Sequence, residues 1–305
     1  MRVLPLLLAM LLAACHSMPG ILPPPVASAP GSIIELRSAK ALTPVELVGR
    51  LARAPRVIIG EQHDNPDHHA LQLWLLRSMA RERPQGSLLL EMLNPDQQPE
   101  VDGVKRSIDG GRLPDDLPGR LAWQSGWDWS LYGPLVGFAL RQPYPLLAAN
   151  LDRQEVRAIY ARAPVLTGTR SNAPSVIEAL AGQIRESHCG LLPESQVPAM
   201  RAVQQQRDRR MAEQLLAAPA PALLLAGAVH GRKDLGVPLH LADLDRSQEV
   251  VVLILAEQGQ QVAAASADYV WYTPPQPAKD YCAQLRPDRR AFLRAKKRPG
   301  KSRVK

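Results

Sequence analysis

Residues 56–69 read RVIIGEQHDNPDHH, and this stretch decides the fold. Arg56–Gly60 is an apolar run short enough for a strand, and it ends abruptly in polar and ionisable groups. Asn65, Pro66 and Asp67 then carry the marks of a helix start: an N-cap amide, a proline suited to the first helical position, and an acid on the positive end of the helix dipole. The spacing predicts a helix over Asp67–Arg83. The same apolar run recurs at Ser87–Met92, Pro145–Asn150, Ala222–Gly227 and Val250–Ala256. Continuously apolar strands are those covered on both faces. Their alternation with helical stretches, Gln196–Ala217 the longest, indicates a three-layer α/β fold with a mostly parallel sheet flanked by helices. Ile33–Leu36 and Tyr269–Thr273 read as edge strands.

The rhythm breaks between Leu93 and Gln142. Trp123, Trp127, Trp129, Tyr132 and Phe138 fall there, five of the chain's 13 aromatic residues. The stretch reads as a helical insertion at about residues 94–142, lying over the strand ends, its aromatics either lining a slot or forming a satellite core.

Ionisable groups collect where the apolar runs end. Glu61, His63 and His68 follow the first, Glu91 ends the second, Asn150 the third, and His230 follows the fourth. Parallel strands place their carboxyl ends on one edge of the sheet, where ligands bind. A divalent metal such as zinc or manganese held by His63, His230 and Glu61 or Glu91 is chemically reasonable there. His68 and His69, one turn into the helix, are otherwise solvated or paired with Asp64 and Gln72. The chain contains no HExxH, GxSxG, P-loop or GxGxxG element, which argues against the corresponding zinc protease, serine hydrolase, NTPase and dinucleotide enzymes. It has no CxxCH for covalent haem attachment.

Taken in order, the Gly60-Glu61-Gln62-His63 and Gly227-Ala228-Val229-His230 elements, the DNPDHH stretch, Leu90-Glu91-Met92, the Gln204…Arg207-Asp208…Met211-Ala212 helix and Gly236-Val237-Pro238-Leu239-His240-Leu241 resemble the ChaN haem-binding lipoproteins of the Tiki/TraB group. The resemblance spans roughly residues 33–256. It implies a non-catalytic protein of haem and iron uptake, with haem held between the subunits of a homodimer and a haem receptor or transporter as a further partner. A porphyrin needs an apolar slot, cations for its propionates and an axial donor. Tyr132 is the candidate axial ligand, with His63 and His230 behind it, and Glu61, His68, Glu91, Asn150 and Arg207 complete the expected cleft. The Tiki side of the group implies the alternative, a metal-dependent hydrolase of the erythromycin-esterase-like type, with a glutamate as general base and Arg207 stabilising an oxyanion.

The ends of the chain carry separate signals. Residues 1–14 (MRVLPLLLAMLLAA) read as a signal peptide, too short to span a bilayer, and Leu12-Ala13-Ala14-Cys15 resembles a lipobox with Cys15 as the lipidated residue. His16 in place of aspartate favours the outer membrane, with the body facing the periplasm or the cell surface. Residues 15–32 read as an extended tether, and residues 33–282 as a single domain. Cys189 and Cys282 remain as a candidate disulfide or as two buried thiols. The formal charge of +8 resides in residues 283–305, where ten lysines and arginines fall after Leu285; the rest of the chain is close to neutral, which removes the case for a nucleic-acid partner.

Overall fold

The computed structural model describes residues 23–26, 31–247 and 249–285. The expected signal peptide, Cys15 and the basic tail from Arg286 onward lie outside the described residues.

Eight strands form one sheet: β1 (Ile33–Glu35), β2 (Lys40–Ala41), β3 (Arg56–Glu61), β4 (Ser87–Leu90), β5 (Leu146–Ala148), β6 (Ala222–Gly227), β7 (Val251–Glu257) and β8 (Tyr269–Thr273). Their order is β2-β1-β8-β7-β3-β6-β4-β5. The six strands from β8 to β5 are parallel, and β1 and β2 add antiparallel at one side. The helices are α1 (Pro44–Arg53), α2 (Pro66–Glu82), α3 (Gln98–Asp109), α4 (Leu117–Arg120), α5 (Trp129–Ala139), α6 (Arg153–Ala161), α7 (Pro174–Ser187), α8 (Val197–Ala217), α9 (Ala228–Gly231), α10 (Val237–Leu244) and α11 (Tyr281–Leu285).

The period-two geometry of a strand divides its apolar residues between two cores. Val57, Ile59, Leu88, Leu90, Leu223, Leu225, Leu253 and Leu255 face one layer, where Leu75 and Met79 of α2 and Leu135 and Val136 of α5 pack. Ile58, Leu89, Leu224, Val252 and Ile254 face the other, against Met211 and Leu215 of α8 and Leu241 of α10. The sheet therefore has helices on both faces, as expected. The chain leaves β3 through α2 on the first face and leaves β6 through α9 and α10 toward the second, which opens a crevice at the carboxyl ends of these neighbouring strands.

Two details differ from the sequence reading. Both expected edge strands are interior: Ile33–Glu35 lies between β2 and β8, and Tyr269–Thr273 lies between β1 and β7 with Trp271 fully buried; β2 and β5 are the edges. Two consecutive apolar residues gave no indication of which neighbour would cover them. Val26, assigned to the tether, is buried in the first core, so residues 23–26 dock on the body. The insertion contains α3 to α5 and a 3-10 turn at Pro95–Gln97, with Tyr132 buried, Trp123 and Trp127 against its ring, and Trp129 and Phe138 packed on the same core. Among the described residues no helix is long and apolar enough to cross a membrane.

Cys189, just past α7, is disulfide-bonded to Cys282 in α11, closing a loop 93 residues apart in sequence. In the chain-entropy picture closing a loop of this length destabilises the unfolded state by about 4.6 kcal/mol. The Cys189→Ser/Cys282→Ser double variant is expected to melt at lower temperature than the parent by thermal circular dichroism, with a gap that closes when the parent is reduced.

Candidate functional site

The crevice depends on two glycines that hold the Gly-x-x-His elements against each other. A Cβ on Gly60 would lie 2.9 Å from the Cα of Ala228 and 2.6 Å from Ile254 Cδ1. A Cβ on Gly227 would lie 2.7 Å from His63 Nε2. Each glycine thus gives room to the other element: Gly60 admits the backbone of α9, and Gly227 admits the imidazole that follows β3.

Carboxylates and imidazoles alternate across this contact. Glu61, the last residue of β3, is buried and receives the Tyr132 hydroxyl at 2.6 Å. His63 Nδ1 is shared between Glu61 Oε1 and the Tyr132 oxygen, 3.0 Å from each. His69 Nδ1 lies 3.2 Å from Glu61 Oε2, while its Nε2 bonds the His63 carbonyl at 2.9 Å. Glu91 accepts the Gly227 N–H at 2.8 Å, sits 3.3 Å from His230 Nε2 and 4.0 Å from His63 Nε2. On its other side His230 Nδ1 donates to Asp208 of α8 at 2.6 Å, with the Gln204 amide 3.1 Å away. Burial opposes charge on Glu91 and His230 alike, yet their mutual attraction, with Asp208 added, holds the carboxyl well below its ordinary range and raises the imidazole.

His63 is the exposed member. Its side chain is 39% accessible, its ring lies edge-on to Trp127 with centroids 4.8 Å apart, and it lines two cavities. The first, about 500 Å³, runs past Val229, Ile254 and Val262 to Arg232. The second, about 630 Å³, lies under residues 276–281. There Lys279 and Tyr281 donate to Asp64 at 2.6 and 2.7 Å; burial resists the charge on Asp64, but these donors bring it down to about 2.

The expected cleft residues separate into groups. Glu61, His63, Glu91 and His230 come together. Asn150 is buried and donates to the Glu91 carbonyl at 2.8 Å, fixing the turn after β4. Arg207 lines a different cavity, beside Asn150 and Trp127. Tyr132 is 1% exposed and turns its hydroxyl to Glu61; burial, then that carboxylate, pushes its pKa upward. His68 is buried away from the crevice, accepting from the Gln62 N–H at 3.0 Å and meeting Thr273 Oγ1 at 3.2 Å. The pairing of His68 and His69 with Asp64 and Gln72 is replaced by these contacts. The sequence carries no signal for His69 or for Asp208, which completes the buried pair, because a helix position alone does not say which of several polar residues faces the sheet. Among the described residues no three His, Cys, Asp or Glu side chains form a group able to hold a metal ion.

The histidines give stability a defined pH dependence. Burial lowers His68 from 6.5 to about 4, so its contribution is complete above pH 6.5 and is lost as the pH falls toward 4. His230 is raised above 6.5, so its contribution is complete below that pH and is lost as the pH rises toward its folded value. The melting temperature is expected to peak near pH 6.5, where both are present, and His68→Asn is expected to flatten the acid limb between 6.5 and 4 in a pH series of thermal melts.

With this geometry the chain can be compared with known proteins. It is similar to a ChaN structure from Campylobacter jejuni described as showing cofacial haem binding, with a TM-score of 0.72 and 28% identity over 78% of this chain and 94% of that one. An erythromycin esterase mutant in its open conformation gives a TM-score of 0.42 at 13% identity over 78% of this chain and 81% of that one. A MARTX toxin effector domain from Vibrio vulnificus gives 0.43 at 14% identity over 78% and 41%. Neither of these two carries an argument about this site. No curated protein matches the chain. Residues 47–241 match the family described as "Haem-binding uptake, Tiki superfamily, ChaN", and the chain belongs to that haem-binding family.

Proposed function

We propose that the protein is a lipid-anchored, non-catalytic carrier in haem and iron uptake, taking the iron of its cargo on His63. The position of His63 carries this reading. Its Nδ1 is anchored to a buried carboxylate, its ring is held by Trp127, and Nε2 has no hydrogen-bond partner among the described residues. A carboxylate behind one ring nitrogen is the arrangement that orients a histidine and strengthens the other nitrogen as a donor. The flanking cavity supplies apolar wall from Val229, Ile254 and Val262. Tyr132, expected as the axial ligand, then acts through His63 as a positioning residue.

The remaining parts of the reading follow the family and the sequence. Cys15 carries the lipid and fixes the protein to the outer membrane, on the periplasmic side or the cell surface. Two copies form a homodimer with haems stacked between them, in keeping with the cofacial binding described for the Campylobacter protein, and deliver haem to a receptor or transporter component.

Haemin titration followed in the Soret region tests the assignment. His63→Ala is expected to lose the parent's band position, Glu61→Gln to bind about tenfold or more weakly, and Tyr132→Phe to keep the band with reduced affinity. A His63→Ala spectrum identical to the parent would sink the assignment. Sedimentation with and without haemin reads the dimer.

A further inference from the structure

We propose that Arg153, Arg157 and Arg207 form the subsite for the paired carboxylates of the porphyrin, an inference that rests on the haem-binding reading above. The three guanidinium groups line one cavity of about 370 Å³, together with Asn150 and Trp127. They come from two elements, α6 and α8, so the cluster is assembled by the fold.

One carboxylate, Asp152, lines the cavity beside the three guanidinium groups. Arg207 is partly buried, with Nε hidden from solvent and without a hydrogen-bond partner. Arg157 has no ion pair or hydrogen bond among the described residues, and Arg153 reaches only the neutral Gln124 amide, at 3.1 Å. Asp152 caps α6 by accepting the Glu155 N–H at 2.7 Å, and Glu155 receives the Arg210 guanidinium at 2.6 Å. A partly desolvated guanidinium with an unmet donor calls for an anionic acceptor, and a planar fork matches a carboxylate in particular.

Trp127 connects this cavity to the iron-binding edge. The indole whose ring stands 4.8 Å from His63 also lines the arginine cavity. A flat, apolar ligand bearing carboxylates at one edge can rest against Trp127, with its centre toward His63 and its acids toward the arginines. Succinate or phosphate shares the carboxylate or anion chemistry without the ring.

The test compares haemin with haemin dimethyl ester, which has the same iron and ring but no carboxylates, on the full chain, on Arg207→Gln and on Arg153→Gln/Arg157→Gln. The parent is expected to bind haemin at least about tenfold tighter than the diester, with each variant losing about threefold to tenfold for haemin and little for the diester. Succinate at millimolar concentration is expected to compete only weakly. If the parent binds haemin with a His63-dependent Soret band but the haemin-to-diester ratio stays the same in the variants, the arginine subsite falls and the haem site stands. If the parent binds neither haemin nor iron-free protoporphyrin, both readings fall.

Discussion

The contact between the ends of β3 and β6 is the constraint on which the rest of the site depends. Two parallel strands set Gly60 opposite Ala226 and Glu61 opposite Gly227, and each glycine lacks the side chain that would displace the other element. Because this is also the place where the connections depart to opposite faces of the sheet, the crevice opens where the backbones approach most closely. The repeated Gly-x-x-His pattern is therefore one packing solution written twice, with each glycine serving its partner.

Having brought the strand ends together, the fold surrounds them with buried ionisable groups that are stable only as a connected set. Glu91 joins β4 to β6 through the Gly227 N–H and faces His230. Asp208 holds the same imidazole from the opposite side. Removing one member would leave a charge without its partner in a low-dielectric interior, a cost larger than the pair's own net contribution. At the outer end of this network Glu61 and Tyr132 hold His63, whose other nitrogen is left for a ligand. The buried pair and the exposed imidazole are thus parts of one network with different roles, rigidity inside and binding at the rim.

The insertion gives this edge its character. Tyr132 reaches into the carboxylate network, while Trp127 stays half-buried between His63 and the arginine cavity. A stretch that reads only as aromatic-rich divides in three dimensions into residues that pack the core, one that positions a histidine, and one that forms a wall.

Much of the frame was legible in the chain itself. Apolar runs ending in ionisable residues located the parallel strands, and Asn65 with Pro66 located the start of α2, because strand burial and helix capping are local effects with short sequence signatures. The ordered motifs identified the family by resemblance. The roles of individual polar residues were another matter. His68 and His69 are neighbours in sequence, yet one meets Thr273 on β8 and the other bonds the His63 carbonyl and lies 3.2 Å from Glu61 on β3. Asp208 and Arg207 are likewise adjacent, and α8 turns one onto His230 and the other into a separate cavity. On a helix each residue advances about 100° around the axis, so direction is set by what the helix packs against. The central parallel strands, the start of α2 and the order of the motifs are written in short local stretches of the chain; which imidazole meets which carboxylate is set only in the fold, because those partners lie far apart in the chain and meet when the sheet is assembled.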